Sequence, residues 1–151
     1  MERAHGTPPA VSDRWEDVMA DLEATAEEYR DEGYETLAIH TGDVTPLPDK
    51  LALDVLAPGN EYRELEALAE SFELDEFEVY AAVEGEITFA LIALVDDDRD
   101  EAVLCPVFYH HSVIEAFGEQ VETVGSIQLQ IRPLSDESRV TFTLEDTELL
   151  F

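Results

Sequence analysis

Apolar residues are densest between Glu86 and Val95, which reads Glu-Ile-Thr-Phe-Ala-Leu-Ile-Ala-Leu-Val. Ile87, Phe89, Leu91, Ala93 and Val95 fall on one face of an extended chain and Ala90, Ile92 and Leu94 on the other. The pattern therefore predicts a central β-strand covered on both sides. It is too short to cross a membrane as a helix. Before it, Phe77, Val79, Ala81 and Val83 alternate with more polar neighbours and enter the central strand through a hairpin at Glu84-Gly85. After it, Asp96 to Asp100 turns the chain into a third strand, Ala102 to Tyr109. Pro106 cannot donate a ladder hydrogen bond, so this third strand is expected at an edge or bulged.

Helical spacing appears three times. Trp15, Val18, Met19, Leu22, Ala26 and Tyr29 form an apolar stripe that follows a cap at Ser12 or Asp13, with Glu16 placed for a capping box, and ends at Gly33. Tyr62, Leu65, Leu68, Ala69 and Phe72 form a second stripe behind Asn60 as cap. Val113, Ile114, Phe117 and Val121 form a third behind the capping box Ser112-Val-Ile-Glu115, ending near Gly125. Two further strands are expected from Tyr34 to His40 and from Leu51 to Leu56, separated by an irregular loop, Thr41 to Asp49, that holds Gly42, Pro46 and Pro48. The last hairpin pairs Ile127, Leu129 and Ile131 with Val140, Phe142 and Leu144 over a turn near Ser135 to Ser138, with one face wet.

The predicted order is α-β-β-α-β-β-β-α-β-β, an α+β domain with three helices and a mainly antiparallel sheet of about five to seven strands. A flexible lead over residues 1–10 precedes a single domain over 11–151, a length suited to one core. The lead has no apolar run of signal-peptide type.

Charge changes the picture. The chain has 37 acidic residues against 8 Lys and Arg, a net charge of −29, while its apolar fraction of 45% is that of a globular protein. The acids are spread evenly, 20 in residues 1–75 and 17 in 76–151, and Lys50 is the single lysine. Such a surface repels itself in dilute buffer and is relieved by salt, which points to the cytoplasm of a salt-accumulating halophile. The rival reading is a DNA mimic that offers carboxylates to a basic partner, but an even spread is not a phosphate-like track.

Candidate chemistry is sparse. Cys105, His110 and His111 gather, with Tyr109, where the third strand meets the third helix, and His40 ends an earlier strand. With a carboxylate such as Glu115 they are a candidate ligand or metal site, although adjacent histidines on a strand point to opposite faces. His110 and His111 are not expected to be catalytic. Cys105, alone and in an apolar run, reads as a structural thiol. Asp96-Asp-Asp-Arg-Asp-Glu101 begins like a calcium loop but has Glu101 where Gly is needed and Val107 where the bidentate Glu belongs, so it reads as an acidic turn. No phosphate-binding glycine loop or basic aromatic patch is present, so no cofactor, nucleic acid or membrane partner is implied.

Ser12-Asp-Arg-Trp-Glu-Asp-Val-Met19, the Gly33 to Asp43 strand and turn, Ile131-Arg-Pro-Leu134 and Val140-Thr-Phe-Thr143 resemble a small haloarchaeal family of unknown function. The resemblance implies a halophile's cytosol and no active-site residues. From Asn60 onward the element order also looks like that of type III secretion chaperones, a likeness of topology only. Two function classes follow. The favoured one is a small non-enzymatic binding or adaptor protein, with a protein partner or a second copy as a homodimer and Trp15 at a contact with the sheet or a second subunit. The other is a small-molecule-binding domain or enzyme with its site near His40, Cys105, His110 and His111. A pocket lined by those four side chains would favour the second class.

Overall fold

The computed structural model describes residues 9–135 and 138–145. Their elements are α1 (Pro9–Asp31), β1 (Glu35–Ala38), β2 (Asp43–Leu47), a 3-10 turn (Pro48–Lys50), β3 (Ala52–Leu56), α2 (Gly59–Ala69), β4 (Glu76–Glu84), β5 (Ile87–Asp96), β6 (Glu101–His110), α3 (Ser112–Val124), β7 (Ile127–Arg132) and β8 (Val140–Leu144). This is an α+β arrangement, but its strands form two four-stranded sheets instead of one, in the orders β1-β6-β5-β4 and β2-β3-β7-β8. Each sheet contains one parallel pair, β1 with β6 and β3 with β7, among antiparallel neighbours. Most of the expected lead-in and the centre of the turn near Ser135 to Ser138 lie outside the described residues.

All ten residues of β5 are buried, as two-sided apolarity requires. Leu91 and Ala93 pack under Leu22 and Ala26 of α1. Ile87 and Phe89 pack with Trp15 and Val18 of the same helix. The opposite face, Ala90, Ile92 and Leu94, joins one continuous core with Val103, Cys105 and Val107 of β6, the apolar residues of β3, β7 and β8, and the inner faces of α2 and α3. Gly85 starts the two-residue turn between β4 and β5 at φ 61, a backbone that a side chain at this position would strain.

Three local expectations are corrected. The stretch Thr41 to Asp49 is not an irregular loop, because β2 runs through it and Pro46 sits opposite Leu53. The strand lies at a sheet edge, where a proline's missing N–H costs no ladder bond. The strand holding Pro106 is neither an edge nor bulged; it lies between β1 and β5 in unbroken register. The Pro106 carbonyl accepts the Thr41 hydroxyl at 2.8 Å, on the side where β1 has already ended at Ala38. A strand residue's nitrogen and carbonyl point the same way, so the missing donor faces the gap left by β1. Finally, neither Asn60 nor Ser112 caps its helix. α2 begins at Gly59, α3 begins at Ser112 itself, and neither start has a side-chain cap of the usual kind. α1 likewise begins at Pro9, ahead of the expected Ser12 or Asp13.

Candidate functional site

The sequence candidates separate in space. Cys105 alternates inward on β6, is fully buried opposite Ile92, and has its thiol pushed up to about 12 by burial, which the contact with Thr41 only partly offsets. A thiol in that state is not a nucleophile near neutrality. It packs as a small hydrophobe.

His110 ends β6 on the exposed side. Its Nδ1 accepts the backbone N–H of Ser112 and faces the Ser112 hydroxyl, both at 3.1 Å, and its Nε2 lies 3.1 Å from Glu86. Nδ1 therefore acts as acceptor and Nε2 carries the hydrogen toward the carboxylate. The imidazole thus supplies the helix-start acceptor that Ser112 was expected to provide. His111 follows, exposed, at the N-terminal boundary of α3. Trp15 meets the sheet: its ring is edge-on to Phe108 of β6, with centroids 5.3 Å apart at 79°.

His40 lies elsewhere. Ala38 is opposite Leu104, so His40 is level with Pro106, four residues along β6 from His110 and about 13 Å away at a strand's rise. Two carboxylates clamp it. Its Nδ1 is 2.6 Å from Glu61 at the start of α2, its Nε2 is 2.6 Å from Glu23 of α1, and its backbone N–H donates to the other Glu61 oxygen at 2.7 Å. Both ring nitrogens are thereby engaged, leaving neither for a metal ion. Among the described residues, no cluster of His, Cys, Asp and Glu is arranged to hold a metal ion. Sequence spacing had no means of finding Glu23 and Glu61, which are 17 and 21 residues from His40.

Burial of the His40 ring opposes its charged form, but hydrogen bonds to Glu23 and Glu61 and their charges outweigh it, and the pKa is raised above 6.5. A histidine with a raised folded pKa contributes stability that is complete below about 6.5 and is lost as pH rises through the folded value. The His40 side chain is 42% exposed, so solvent weakens the effect. A modest loss of stability is expected as the pH rises past about 6.5, read from denaturant midpoints, within the roughly 0.2–1 kcal/mol that exposed ion pairs give. The same loss in His40→Gln would assign it to another group.

The structure forms a cavity at a place the sequence reading did not mark. A groove of about 600 Å3 opens between the first residues of β4 and the length of β8, lined by Ala69, Phe72, Leu74, Phe77, Val140 and Phe142, with Asp75, Glu76 and Glu145 among its polar residues. Phe72 and Phe142 meet edge-on inside it, 5.8 Å apart. β4 and β8 are the outermost strands of their sheets on this side, and neither has a further strand partner among the described residues. Phe72 and Leu74 were a legible signal: apolar residues persist through the connection from α2 to β4, where a loop is ordinarily polar. None of His40, Cys105, His110 or His111 lines the groove.

No helix among the described residues is long and apolar enough to cross a membrane. No curated protein and no solved structure matches the chain significantly, so the chaperone-like element order stands without a structural counterpart. The model of a family of unknown function, DUF7529, matches residues 1–151, and the chain belongs to that family.

Proposed function

We propose that this is a small binding or adaptor protein without catalytic chemistry of its own, working in the cytoplasm of a salt-accumulating cell. The observation that carries the reading is the place of the groove between β4 and β8. It is floored by apolar and aromatic side chains, flanked by two strand edges, and holds no histidine, cysteine or basic group. Such a surface suits a protein segment better than a reaction. The catalytic alternative needs His40, Cys105, His110 and His111 to converge. In the structure one is buried, one is clamped by two carboxylates and one serves a helix start.

Affinity capture from a lysate held in multimolar KCl tests the proposal, with Thr141→Arg as the comparison. Thr141 is exposed on β8 and lines the groove, so the substitution fills the site with little effect on the core. A protein retained by the wild type and absent from the variant is expected. Identical capture by both would overturn the assignment of the groove.

A further inference from the structure

We infer that the groove takes an extended segment of another protein in which apolar and basic residues alternate, added as a strand along the open edge of β8. The inference rests on the binding reading above and names the partner's chemistry. Its first support is the strand edge. A terminal strand presents backbone donors and acceptors to any chain laid beside it, and β8 borders the groove over Val140 to Thr143. Its second support is period. In an added strand every second side chain points toward the floor of Phe72, Phe77 and Phe142, and the others point away from it.

Charge decides the occupant. The lining includes the carboxylates of Asp75, Glu76 and Glu145 and no Lys or Arg, so the side chains that leave the floor meet negative charge. A second copy of this chain fits poorly. Its strands carry a single arginine, Arg132, while the exposed β4 would bring Glu76, Glu78 and Glu84 against the same rim. Like charges across paired strands are destabilising. In concentrated salt, long-range attraction is screened and apolar insertion is strengthened, so the carboxylates select the partner while the aromatic floor supplies most of the affinity.

Fluorescence anisotropy with three labelled peptides tests this, each alternating Val with Lys, Ser or Glu, in about 1 M KCl, where the screening length is about 3 Å. The Val/Lys peptide should bind wild type about tenfold tighter than Val/Ser, a difference of about 1.4 kcal/mol. Glu76→Lys/Glu145→Lys should reverse the order in favour of Val/Glu, with an unchanged circular dichroism spectrum. Equal binding of Val/Lys and Val/Ser, both lost in Thr141→Arg, overturns the basic partner while leaving the groove a protein-binding site. Absence of binding by all three at about 1 mM overturns this inference and the binding reading with it.

Discussion

Removing salt is expected to unfold this protein. Folding gathers 37 acidic residues and 8 basic ones into one small domain, whereas the unfolded chain holds the same charges farther apart. The described ion pairs draw on Arg14, Arg30, Arg99 and Arg132, with His40 and His110, and 37 acidic residues against 8 basic ones leave negative charge far in excess of what such pairs can offset. Stability of about 5–15 kcal/mol is a small margin against modest repulsion repeated at many sites. Above roughly 1 M KCl the screening length falls to about 3 Å and that repulsion nearly vanishes. Circular dichroism and denaturant midpoints should therefore show cooperative folding at high KCl and progressive loss on dialysis. An unchanged midpoint between about 3 M and about 0.05 M KCl, the two ends of the screening range, would refute the halophile reading and revive the DNA-mimic alternative.

The elements most legible in the sequence are those whose two faces report separately. β5 is apolar on both sides and is buried on both; α1 and α3 carry single stripes and stop at Gly33 and Gly125, which have φ 101 and 82. What could not be read is pairing. Nothing in the periodicity of β1 says that it joins β6 in parallel, or that β3 and β7 start a second sheet, because those choices rest on contacts far apart in the chain. β2 was hidden by Pro46 within it and by Gly42 and Pro48 on either side, which argue against a strand in the sequence although a sheet edge tolerates the proline. For the same reason the candidate residues failed to converge. Cys105 and His110 are five apart on one strand and so face opposite sides, a relation the sequence contains, whereas the Glu23 and Glu61 clamp on His40 depends on how two helices come together.

The largest effect of a single substitution is expected at Arg132, on the face of the second sheet turned away from the core. Its Nε donates to Asp54 Oδ2 at 2.6 Å, between the parallel strands β3 and β7, and its Nη1 lies 3.4 Å from the Pro133 carbonyl. Asp54 is 8% exposed, and its other oxygen has no hydrogen-bond partner among the described residues. Gln130, opposite Asp54 in the register and on the same outer face as Arg132, also has a buried side-chain oxygen with no hydrogen-bond partner among the described residues. A half-turn of that amide would offer Asp54 an N–H, but no second cation. Arg132→Met therefore leaves a carboxylate buried and uncompensated, and should cost about 3 kcal/mol, the lower end for a buried pair because the guanidinium is partly open to solvent. The double variant Asp54→Leu/Arg132→Met removes both charges and should recover most of that loss, since apolar residues of similar size can replace such a pair. Denaturant midpoints of the single and double variants decide the matter. A double variant no more stable than Arg132→Met would show that the arginine acts through packing and not through Asp54. Burial also sets this loss apart from the surface repulsion: salt screens a buried pair weakly, so the penalty should persist in the concentrated KCl that restores the rest of the fold.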